Sequence, residues 1–118
     1  MQEKPTPRST TFDVLEVAIE AIGEMRLIVG RIRQRDRDLG EQIRRAMSSV
    51  ALNLGEASGT HGGHRAERFS TASGSCVEVR TGLRVAAAWG YVAREDVAAV
   101  DAQLDRVAAM LYRLGARR

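Results

Sequence analysis

Apolar residues recur along this chain in steps of three and four, the spacing of one face of an α-helix. From residue 11 onward Leu15, Ala18, Ile22, Met25, Val29 and Ile32 form one such stripe. Thr10 or Thr11 can cap its start, and Asp13 favours the positive end of its dipole. A second stripe holds Ile43, Met47, Val50, Leu54 and Ala57, and a third holds Phe69, Ala72, Cys76, Val79, Leu83 and Ala86. The fourth runs Val97, Val100, Leu104, Val107, Leu111 and Leu114, with Glu95 and Asp96 at its start and Arg113 near its end. The polar run 33–38 reads as a connection, followed by Asp38 and Glu41 at capping-box spacing. Ser58-Gly59 reads as a stop with glycine in the left-handed conformation, and Gly90-Tyr91 as a turn.

The pattern predicts helices over about 11–33, 39–57, 65–89 and 94–115. Short loops make each antiparallel to the last, so the fold class is all-α, an antiparallel up-down-up-down four-helix bundle packed at about 20°. Residues 1–10 carry both prolines and no periodicity, and read as a flexible tail before a single domain over 11–118. A second set of apolar residues lies off the main seams: Val14, Val17, Ala21 and Ile28 in the first helix, and Ala98, Ala102, Ala109 and Tyr112 in the fourth, with Trp89 besides. A helix apolar on more than one face usually has a second partner, so this set predicts a homo-oligomer.

Helices two and three fold back around a loop centred near residue 61. That places Ser48 and Ser49 opposite Ser73 and Gly74, with Ser75 adjacent, so small residues let the backbones approach. The same pairing predicts an Arg45–Glu78 contact that fixes register, and puts Gln42 near Arg80. Asn53 and Glu56, one turn apart, extend this polar side toward Glu78. The three suggest either a structural hydrogen-bond network or a small polar pocket for a small molecule or metal. No nucleophile–base pair accompanies them, which favours the network and a protein that is not an enzyme.

The chain carries +3 at pH 7, and seventeen of its eighteen basic residues are arginine. Phosphate binding and the codon bias of a GC-rich genome explain that excess equally well. Arg31, Arg33, Arg35 and Arg37, followed by Arg44 and Arg45, suggest a basic rim at one bundle end, the candidate nucleic-acid-binding surface. His61 and His64 lack the further ligands of a zinc site, and no cofactor motif is present. Cys76 reads as a core residue. A single cysteine, no apolar run near the ~20 residues that span a bilayer, and no secretory leader point to the cytoplasm.

L-x-x-Q-x-R-R-A at Leu39–Ala46, S-x-x-x-N-x-x-E at Ser49–Glu56, A-x-G-S-x-x-E at Ala72–Glu78 and Gly90-Tyr91 together resemble the bacterial 23S rRNA intervening-sequence proteins. Phe12 and Leu15-Glu-Val17 look like that family's opening helix. Ala51 stands where the family usually has proline, which predicts a straighter second helix. The resemblance implies a left-handed four-helix bundle that assembles into a homopentamer. It also implies kinship with the accessory variability determinants of diversity-generating retroelements, which bind RNA and a reverse transcriptase through a basic surface. RNA, DNA or a nucleic-acid enzyme is thus the expected partner. Five copies at +3 give about +15 on a ring, enough to attract nucleic acid.

Overall fold

The computed structural model describes residues 10–59 and 63–116. Residues 1–9 and His61 lie outside the described part. Four helices follow in order: α1 Thr11–Arg35, α2 Arg37–Ser58, α3 Gly63–Ala88 and α4 Arg94–Ala116. Each packs on its sequence neighbours, and α4 returns to α1, closing an antiparallel ring. Among the described residues no helix is long and apolar enough to cross a membrane.

Helix α1 begins with a capping box: the Thr10 hydroxyl accepts the Asp13 N–H and the Asp13 carboxylate accepts the Thr10 N–H. Its end corrects the expected polar connection. The run from Arg33 to Asp38 is helical apart from Asp36, whose extended backbone alone turns the chain. Asp36, and not Asp38, caps α2, accepting the Leu39 N–H on Oδ1 at 3.0 Å. Arg and Gln are good helix formers, and their polarity here reports exposure, not a break.

So tight a connection brings α2 against the end of α1, and Gly40 makes this possible. A Cβ there would lie 2.8 Å from both the Cα and the N of Arg33, too close for any side chain. Between α2 and α3, Gly82 faces Ile43 at similarly short range. Ser75 donates to the Ser49 hydroxyl at 2.9 Å, two positions beyond the pairing expected from the loop centre. The offset follows from helix geometry: side chains lean toward the N-terminus of their own helix, so each covers a point about one residue before itself.

The expected inner stripes of α2, α3 and α4 are all buried, joined by Ala46 and Met110. In α1 the core face is rotated from expectation. Val14, Val17, Ala21 and Ile28 are buried with Ala18, Met25, Val29 and Ile32, while Leu15 and Ile22 are only half-buried. Four of the residues expected to meet a second partner therefore belong to the chain's own core. Those of α4 (Ala98, Ala102, Ala109 and Tyr112) and Trp89 are exposed.

Polar ties close both ends. Arg65 donates to the Ala57 carbonyl and the Thr11 hydroxyl and lies over the Phe69 ring. At the other end α3 finishes in a Schellman motif: Gly90 N–H bonds the Ala87 carbonyl, Tyr91 N–H bonds the Ala86 carbonyl, and Gly90 has φ +81°. Gly59, by contrast, ends α2 at φ −103°, outside the left-handed region. The Tyr91 hydroxyl then donates to Asp36 Oδ2 at 3.3 Å, beneath the Arg35 guanidinium.

Two glycine substitutions should separate these effects. Gly40→Ala forces a backbone clash and should cost about 1–3 kcal/mol of stability. Gly55→Ala, where a Cβ meets nothing within 4 Å, should gain about 0.5–1 kcal/mol from helix propensity. Urea denaturation checks both, and coincident midpoints for the two variants would contradict the close approach at Gly40.

Candidate nucleic-acid interface

The outer side of α2 carries Arg37, Glu41, Arg44, Arg45, Ser48 and Leu52 at spacings of three and four, so they form one line along the helix. A groove of about 330 Å³ runs between α1 and α2, floored by Ile22, Met25, Val29 and Met47 and edged by Arg26, Arg33 and Arg44. A second hollow of about 340 Å³ lies between α2 and α3, with Arg44, Arg45 and Arg68 around Ser48, Ser49, Leu52 and Asn53. Arg44 borders both. The result is an arginine band crossing three helices on the side of the bundle.

Two carboxylates temper this band. Glu41 accepts from Arg33 Nε at 2.7 Å and Arg44 Nη2 at 3.0 Å. The hydrogen bond from Arg44, then the charges of Arg33, Arg44 and Arg45, hold its carboxyl below the usual range. Glu56 pairs with Arg68 at 2.8 Å. Five guanidinium groups (Arg26, Arg33, Arg44, Arg45 and Arg68) against these two carboxylates leave the band at +3.

The arginines expected to form an end rim do not stay together. Arg33, Arg44 and Arg45 enter the band. Arg31 turns to α4 and pairs with Asp96 at 3.5 Å, Arg35 sits over Tyr91, and Arg37 is exposed at the start of α2. Arg26 and Arg68 join the band without having been singled out in the sequence. Arg26 lies seven residues before Arg33, hence on the same face, and Arg68 reaches Asn53 and Glu56 across the α2–α3 hairpin.

The polar residues between these arginines are already engaged. Asn53 Nδ2 donates to the Ser49 carbonyl at 2.8 Å and its hydroxyl at 3.1 Å, while Asn53 Oδ1 accepts from Arg68. Asn53 and Glu56 are thus linked through Arg68. Glu78 stands apart, beside Gln42 in a separate hollow, and among the described residues it forms no ion pair with Arg45. Both side chains lie on exposed outer faces, and Arg80 turns away from Gln42 to α4. This separation disfavours a small-molecule or metal pocket at Asn53, Glu56 and Glu78. His64 is exposed at the start of α3, and among the described residues no group of three or more His, Cys, Asp or Glu is placed to hold a metal.

On the far side of α3, Arg80 grips Asp101 through two bonds of 2.8 and 3.0 Å and reaches Asp105 at 3.4 Å. Asp101 borders a cleft of about 690 Å³ between α3 and α4 edged by Arg84 and Arg94. Nearby, the Cys76 thiol is buried against the Leu104 carbonyl at 3.7 Å, and that burial pushes its pKa up.

The family model described as 23S rRNA-intervening sequence protein matches residues 11–113, which is all four helices almost to the end of α4. Among curated proteins, none matches the chain.

The Arg80 hydrogen bond, then its charge, holds the Asp101 carboxyl below its ordinary value of 3.8. A depressed carboxylate contributes stability above its unfolded pKa and loses it as pH falls through the folded one. The urea midpoint of the wild type should therefore drop more steeply from about pH 5 to about pH 3 than that of Asp101→Asn. Parallel curves for the two proteins would show that the clamp does not couple to folding.

Proposed function

The chain belongs to the 23S rRNA-intervening sequence protein family, and from that premise we propose that it is a non-enzymatic, homo-oligomeric bundle that binds nucleic acid. We take the assembly to be the pentamer that the resemblance implies, working in the cytoplasm as a scaffold or accessory module for RNA, DNA or an enzyme acting on them. The observation that carries the reading is the place of Arg44, on the border of both grooves. It joins the arginines of α1 to those of α3, so the guanidinium groups follow one another across the bundle.

Such a band suits a phosphate backbone. Guanidinium groups bind phosphate through paired hydrogen bonds, and their attraction to a polyanion strengthens as counterions are released. The α1–α2 groove sets an apolar floor of Ile22, Met25, Val29 and Met47 beside Arg26, Arg33 and Arg44. Glu41 lowers the charge of the band but also orders it. It holds Arg33 and Arg44 in fixed positions while leaving the band positive, so less side-chain freedom is lost when phosphate arrives. A binding role, not a catalytic one, also fits the engagement of Ser49, Asn53 and Ser75 in hydrogen bonds within α2 and between α2 and α3.

Replacing Arg26, Arg44 and Arg45 together by Ala should weaken binding to RNA and DNA by about 100-fold at moderate salt. It should also flatten the slope of log K against log salt by about 3, near one unit per lost phosphate contact. Replacing Arg31, Arg35 and Arg37 should change both much less. Fluorescence anisotropy at several salt concentrations measures each, and an unchanged slope in the first variant would place binding elsewhere.

A further inference from the structure

We infer that the outer stripe of α1 in one copy docks into the α3–α4 cleft of a second copy. The inference rests on the self-association proposed above and assigns its two faces. The stripe is apolar and acidic. Phe12, Ile19 and Leu27 are 63%, 49% and 67% exposed although α1 is already covered on its inner side. Glu16 and Glu20 lie among them, exposed and without an ion pair or hydrogen bond among the described residues. Among the described residues, no other helix combines large exposed apolar side chains with two unpaired carboxylates on one face.

The cleft has the opposite character. Its surface is made mostly of small side chains, Ala87, Ala88 and Ala98 with Val85, which leave room for large ones. Arg84 stands on its α3 edge and Arg94 on its α4 edge, both exposed and without an ion pair or hydrogen bond among the described residues. Asp101, the acid within it, is neutralised by Arg80. Knob-like apolar residues thus match a hollow lined by small ones, and two free carboxylates match two free guanidinium groups.

From Thr81 to Ala88 the cleft follows two turns of α3, about 10 Å, which matches the middle of the stripe from Glu16 to Gly23 and leaves Phe12 and Leu27 beyond its ends. Gly23 presents no side chain at the end of that span, and a Cβ there would meet nothing within the protomer. Because the two faces differ, each copy gives one and receives one. Such head-to-tail contacts close into a ring when the rotation between copies permits it. Helix α2, with Arg44 and Arg45, belongs to neither face and stays free for nucleic acid, whereas Arg26, seven residues after Ile19, borders the docked stripe.

Charge reversal tests the pairing, with mass read by size-exclusion chromatography and light scattering and fold checked by far-ultraviolet circular dichroism. Glu16→Arg/Glu20→Arg and Arg84→Glu/Arg94→Glu should each remain helical yet run as monomers where the wild type assembles. That corresponds to a rise of about 100-fold or more in dissociation constant, since like charges then face each other. The fourfold variant, with both faces reversed, should reassemble. Single-face variants that keep the wild-type mass would overturn the assigned faces while leaving self-association standing. Monomeric single-face variants whose fourfold combination stays monomeric would show that these faces do not meet each other. A monomeric wild type would instead remove self-association itself, and this interface with it.

Discussion

All four helices are coordinated at Asp36. Its extended backbone interrupts the helix that would otherwise run on from α1 into α2, and its N–H still bonds the Ile32 carbonyl to finish α1. One carboxylate oxygen caps α2, and the other receives the Tyr91 hydroxyl from the turn between α3 and α4. A single side chain thus sets where two helices divide and where the other pair returns. The carboxylate also raises the Tyr91 pKa, adding to the larger effect of desolvation, so the phenol remains a donor. Gly40 is the steric counterpart of this arrangement, because a one-residue turn is useful only if α2 can lie directly on the end of α1.

The legible parts of the fold were those where burial alone decides. On α2, α3 and α4 one stripe of large side chains faces inward, and periodicity finds it. On α1 apolar residues surround the helix, from Val14 and Leu15 to Ile19 and Leu27, so spacing alone could not choose the buried face. The run Arg33–Asp38 failed for a different reason. Its polarity resembles that of a loop, although exposed arginine and glutamine are compatible with helix. The α2–α3 pairing was legible to within two residues because loop symmetry constrains it.

Charge was the least legible property. The sequence shows how many arginines there are but not which carboxylates each reaches, since that depends on tertiary approach. Arg31 is drawn to Asp96 and Arg80 to Asp101, each on α4, and Arg33 shares Glu41 with Arg44. What remains after this pairing is uneven: a band across α1, α2 and α3, and a separate pair at the α3–α4 cleft. The chain's total of +3 therefore does not show where the positive charge gathers. The distinction matters because interspersed charge can dominate a total while leaving local fields intact.

Cys76 has a consequence of a different kind. Its sulfur lies in the seam between α3 and α4, against the Leu104 carbonyl, and burial keeps the thiol protonated and unreactive. A thiol reagent reaches it only when that seam opens. The rate of alkylation under native conditions therefore counts openings of one helix pair, and its dependence on urea separates local fluctuation from global unfolding. The bundle carries an internal clock for the motion of its own fourth helix.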